Sequence, residues 1–116
     1  MSKNTTTTGT LKEVTIFTRK NYEDSIGLIM AFTTKELGLV TRTFNLPRKV
    51  TPKTQLGKSI KDMSLEIPPY LLSSHSLLAE EIERQAEGKS YLLELEPTGK
   101  EKYPYNIVRI LSANKQ

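Results

Sequence analysis

Ile26-Gly27-Leu28-Ile29-Met30-Ala31-Phe32-Thr33-Thr34-Lys35-Glu36-Leu37-Gly38-Leu39-Val40-Thr41-Arg42-Thr43-Phe44-Asn45-Leu46 reads as a β-hairpin, and the rest of the fold works outward from it. Residues 26–33 are apolar on both parities, with Ile26, Leu28, Met30 and Phe32 on one and Ile29 and Ala31 on the other. That pattern belongs to a central strand covered on both faces. Gly27 within it marks a bulge, or a bend of the kind small barrels use at corners. Residues 34–38 supply the turn. Leu39 to Leu46 returns with Val40, Arg42 and Phe44 on one face and Leu39, Thr41 and Thr43 on the other. A cation and an aromatic ring therefore share a face.

Charge is concentrated where this hairpin ends. Between Arg42 and Lys61 lie Arg42, Arg48, Lys49, Lys53, Lys58 and Lys61 with no acidic residue, a local charge of +6 against +4 for the whole 116-residue chain. Cations beside a ring are the ingredients for holding a nucleic-acid strand, phosphates on the one and a base on the other. The same composition also describes a solvated basic loop. The overall pI near 9.3 favours acidic partners.

The length fits one domain with a modest core. Cysteine is absent, which excludes disulfides, a thiolate nucleophile and cysteine-based zinc sites, and suits a reducing interior. The opening Met-Ser-Lys-Asn and four threonines lack the apolar core of a secretory signal. The longest apolar run, Ile26 to Phe32, is too short to span a bilayer, so no membrane association is expected.

Upstream of the hairpin, Leu11 to Arg19 alternates as a strand, Val14 and Ile16 pointing one way and Thr15, Phe17 and Arg19 the other. Residues 20–25 form a polar connection with Tyr22 in its middle. Downstream, residues 47–74 admit two readings. Thr51-Pro52 could cap a short helix carrying Leu56, Ile60 and Met63, with Gly57 as its weakness, or Met63, Leu65 and Ile67 could alternate as a strand. A mobile basic arm as far as Lys61, followed by a strand-like piece, is the preferred expectation. Ser74 to Ala86 is a helix with Leu78, Ala79, Ile82 and Ala86 on its apolar stripe, Gly88 at its stop, and Glu81, Glu83, Arg84 and Glu87 on a solvated face. Residues 90–95 and 103–111 are two further strands joined by a turn-rich loop.

Catalytic chemistry has little to work with. The only histidine, His75, lies among serines without an orienting acid, and Glu80 and Glu81 diverge on their helix. Gly57-Lys58-Ser59 and Gly88-Lys89-Ser90 lack the earlier glycine of a phosphate loop, having Pro52 and Glu83 there. A non-enzyme without cofactor or metal is expected.

The order strand, strand, strand, helix, strand, strand is that of an OB-fold. This mainly β, five-stranded Greek-key barrel commonly binds oligonucleotides across strands 2 and 3 and the flanking loops. One helix and a long basic connection would separate strands 3 and 4. The expected division is a flexible tail over 1–9, the OB-fold domain over 10–111 and a short polar tail over 112–116. On that frame Arg42 and Phe44 fall on strand 3, Tyr22 in the first loop, and Lys100 and Lys102 in the last loop with Tyr103 at its edge.

Thr15-Ile16-Phe17, the hairpin segments Gly27 to Phe32 and Leu39 to Asn45, and Tyr103-Pro104-Tyr105-Asn106-Ile107-Val108-Arg109-Ile110 resemble the small single-stranded DNA-binding proteins of lactococcal phages. The resemblance implies an OB-fold protein in the cytoplasm of a bacterial host that coats single-stranded DNA during replication and recombination. It implies a homo-oligomer too, with replication or recombination proteins as further partners. One departure is visible: bacterial relatives of that class end in an acidic tail, whereas Leu111 to Gln116 contains no acid. The expected contacts are Arg19, Arg42, Arg48, Lys49, Lys100 and Lys102 for phosphates, with Phe17, Tyr22, Phe44 and Tyr103 for bases. Two rivals are an OB-type RNA binder and a protein-interaction barrel, the first weakened by the absence of tryptophan and an aromatic content of only 7%.

Overall fold

The computed structural model describes residues 4–18, 26–46, 50–101 and 104–112. It is mainly β. Strands β1 (Thr5–Thr18), β2 (Ile26–Thr34), β3 (Gly38–Leu46), β4 (Ser90–Pro97) and β5 (Tyr105–Ser112) form one antiparallel sheet in the order β3-β2-β1-β4-β5. The sheet curls so that its two end strands, β3 and β5, come into contact without a ladder between them among the described residues, giving a barrel-like shape.

The curl originates in β1, which pairs with β4 through Thr5 to Thr10 and with β2 through Gly9 to Thr18. One strand can serve two neighbours that diverge only if it bends, and a bulge between Leu11 and Glu13 supplies the bend. The extra residue resets the parity. Gly9 and Leu11 are buried before the bulge, and Val14 and Ile16 pack against the core after it. Where the β1–β4 ladder stops, the residues after helix α2 (His75–Ala86) take over. Gly88 N donates to Leu11 O and Leu11 N to Lys89 O, each at 3.0 Å, while Val14 N donates to the Glu83 carboxylate at 2.7 Å. Glu83 is thus a structural acceptor and not, as expected, part of a merely solvated face.

Inside, Leu28, Met30 and Phe32 of β2 lie opposite Phe44, Arg42 and Val40 of β3, and Leu93 and Leu95 lie opposite Ile110 and Ile107. Helix α2 closes one side of this core with Leu78, Ala79, Ile82 and Ala86, as its stripe predicts. Burying each such aliphatic or aromatic side chain is worth about 1.5–3 kcal/mol.

Several expectations are corrected. Residues 5–9 are not a tail; they form the first half of β1, because the ladder to β4 satisfies a backbone that the threonines alone could not bury. Ser112 likewise belongs to β5, and residues 113–116 lie outside the described part. The connection between β3 and β4 holds not one helix but two, α1 (Gln55–Asp62) and α2, with a short 3-10 helix over Pro69–Ser73 between them. From residue 50 on, the stretch expected as a mobile arm leads into α1, and residues 65–68 form no strand. Helix α1 starts at Thr54, whose hydroxyl oxygen accepts from Gly57 N at 3.0 Å and donates to Thr51 O at 2.7 Å. Leu56, Ile60 and Met63 are buried beneath it. Among the described residues no helix is long and apolar enough to cross a membrane.

Gly57 is required rather than weak, since a Cβ there would stand 1.8 Å from the Thr51 carbonyl oxygen. Gly→Ala inside a helix ordinarily stabilises by about 1 kcal/mol. Here Gly57→Ala is expected to destabilise by about 1–3 kcal/mol in a denaturant titration. Tyr91, only 3% exposed and edge-on to Phe32, has its hydroxyl pushed above the ordinary tyrosine range by burial. The folded state therefore keeps this proton longer than the unfolded state does. The stability that neutral Tyr91 contributes is present in full below pH about 10 and is lost as pH rises through the raised value. Tyr91→Phe should consequently soften the alkaline fall in stability, measured by denaturant melts on either side of pH about 10.

Candidate functional site

The outer face of β1, β2 and β3 carries short polar and apolar side chains in register. Thr15, Ile29 and Thr43 form one cross-strand row, and Phe17, Gly27 and Asn45 the next. Pairing through Gly27 is unbroken on both sides, so it marks no bulge. Its role is close approach, for a Cβ there would lie 2.3 Å from Cζ of Phe17. The missing side chain lets the half-buried Phe17 ring lie across the sheet surface.

From this face a groove of about 900 Å³ runs into the seam between β3 and β5. Ile29, Thr41 and Thr43 form one wall, and Tyr105 to Val108 of β5 form the other. The β4–β5 hairpin overhangs it with Glu96, Thr98 and Lys100. That hairpin is shaped by Gly99 at φ +78°, by Lys100 N donating to Thr98 Oγ1 at 3.0 Å, and by Thr98 N donating to Pro104 O at 3.0 Å.

Arg42 stands at the seam. Strand parity points it inward, in the same row as Phe44, but its length carries the guanidinium to the gap between β3 and β5. There Nη1 donates to the Ile107 carbonyl, and Cζ lies 4.9 Å from the Phe44 ring centroid. Its Nε is buried with no acceptor among the described residues, and burial pushes its pKa below the ordinary arginine value. No carboxylate pairs with it among the described residues. Arg42, Gln55 and Val108 also line a second groove of about 570 Å³, which continues along α1 past Lys58, Lys61, Asp62 and Arg109.

Of the residues predicted for the site, Phe17, Arg42 and Lys100 lie on this face or groove. Phe44 does not. It is 0% exposed, packed in the core opposite Leu28, and cannot stack on a base. Arg19, Tyr22, Arg48, Lys49, Lys102 and Tyr103 lie outside the described residues. Sequence reasoning passed over Ile29, Thr41 and Thr43, whose signal was their shared parity opposite the buried row. It counted Lys58 and Lys61 in the basic stretch without assigning them to the site, although their three-residue spacing opposite Leu56 and Ile60 marks the outer side of a helix. No group of three or more Asp, Glu or His side chains gathers at metal-binding spacing among the described residues.

Because Phe44 is core, Phe44→Ala should act on folding, lowering stability by about 3–5 kcal/mol in chemical denaturation. A change in ligand affinity with stability unaltered would contradict this placement. A scan of protein-family models finds no match to the chain, and a search of curated proteins finds none either.

Proposed function

We propose that the chain is an OB-fold protein that binds single-stranded DNA with little sequence preference. The observation that carries this reading is the groove on the outer face of β2 and β3, overhung by the β4–β5 hairpin. The sheet order β3-β2-β1-β4-β5, with β3 brought against β5 and the helices inserted between β3 and β4, fits a five-stranded Greek-key barrel opened at one seam. In that architecture the same face and hairpin commonly receive an oligonucleotide.

Bases lie on the Phe17 ring and beside Ile29, while Thr41 and Thr43 offer hydroxyls that suit any base edge. Lys100 and Arg42 take phosphates. Arg19, Tyr22, Arg48, Lys49, Lys102 and Tyr103 lie outside the described residues and stay in this proposal as candidates for further contacts, on their residue types alone. The protein then coats single strands as a homo-oligomer during phage replication and recombination in the bacterial cytoplasm, as a binding protein and not as an enzyme.

The test is a titration of a labelled oligonucleotide as single-stranded DNA, as the same sequence in duplex and as matched RNA, at two salt concentrations. Salt-sensitive preference for the DNA single strand is expected, and Phe17→Ala should weaken it by about 1–3 kcal/mol. Preference for RNA would move the assignment to the RNA-binding rival. Absence of binding at low salt would reject a nucleic-acid function.

A further inference from the structure

The sheet-face groove does not end at the seam. Beyond Arg42 it passes into the cleft between α1 and β5, where Lys58, Lys61 and Arg109 line the walls. Against these cations stands Asp62, whose carboxylate lies 3.6 Å from Arg109 Nε. Lys58 and Lys61 are exposed, and neither forms an ion pair among the described residues. At the junction the Arg42 Nε is buried without an acceptor among the described residues. A continuous channel lined by Lys100, Arg42, Lys58, Lys61 and Arg109 against Glu96 and Asp62, with a guanidinium nitrogen at its midpoint that has no acceptor among the described residues, is built for a chain of anions rather than for a single ion.

We infer that the α1–β5 cleft is a second segment of the single-stranded DNA path, which holds the phosphate backbone after the strand leaves the sheet face at Arg42. This rests on the function proposed above. The cleft has no aromatic side chain along its walls, so it grips backbone and reads no bases. Asp62 works against the ligand, because a phosphate reaching Arg109 must displace its carboxylate. The second half of the basic stretch between Arg42 and Lys61 thereby gains a role, with α1 placing its lysines along the exit of the groove.

Two oligothymidylates separate the segments, one of about 5 nucleotides, which the sheet face alone can hold, and one of about 15, which can reach both. Each is titrated against the full chain and two variants over a range of salt. Lys58→Gln combined with Lys61→Gln should leave the short oligomer within about twofold while weakening the long one roughly tenfold. The salt slope for the long oligomer should also fall by about 1.4, from two lost phosphate contacts. Asp62→Asn should move the long oligomer the opposite way, to tighter binding and a steeper slope, a gain that misfolding cannot produce. Variants that bind the long oligomer as the wild type does would overturn the inference and leave the cleft to another anion, such as an acidic protein segment. Equal loss on both lengths would overturn it too, placing the lysines at the sheet face. Failure of the wild-type protein to bind either oligomer would instead remove the parent reading, and the inference with it.

Discussion

A single strand that must hydrogen-bond to two diverging neighbours is the constraint on which this structure depends. β1 meets it by inserting one residue between Leu11 and Glu13, and the insertion turns a flat ribbon into a curled sheet. The bend leaves backbone groups near Leu11 and Val14 beyond the reach of β4, and Glu83 of α2 together with Gly88 and Lys89 just after it satisfies them. The helix is therefore fixed to the sheet at its point of greatest curvature, and its stripe of Leu78, Ala79 and Ile82 meets the core from there. Curvature in turn brings β3 toward β5 and creates the seam where the candidate site lies.

Arg42 is where packing and recognition compete. A guanidinium donating to the Ile107 carbonyl gains a charge-assisted hydrogen bond worth about 1.5–3 kcal/mol, while desolvation of its unpartnered Nε costs a comparable amount. The net contribution to folding is small, so stability alone gives little reason for an arginine there. Its charge remains uncompensated among the described residues and lies between two grooves, which is the electrostatic setting an anionic ligand completes.

Much of the architecture was legible because strand parity and helix periodicity are local. The hairpin from Ile26 to Leu46, the α2 stripe and the closing β4–β5 hairpin all follow their patterns. Parity grouped Arg42 with Phe44 correctly but could not say which side was the interior. A row of Val, Arg and Phe looks as amphipathic as its alternative, and only the curl of the sheet decides. The threonines of residues 5–8 looked unpaired because their ladder partners, Leu92 to Leu95, lie far away in sequence. In α1, Gly57 signalled a poor helix by propensity. The approach of the Thr51 carbonyl that makes it necessary is a contact no propensity contains.

Among the described residues four ladders join the five strands, and β3 meets β5 through the Arg42 side chain on the Ile107 carbonyl instead. The barrel wall is consequently stiff along four boundaries and compliant along one. Widening the seam moves side chains that can change rotamer, and breaks no β3–β5 ladder among the described residues. The girth of the barrel can thus change at the seam, while the curvature set by the bulge between Leu11 and Glu13 is left as it is.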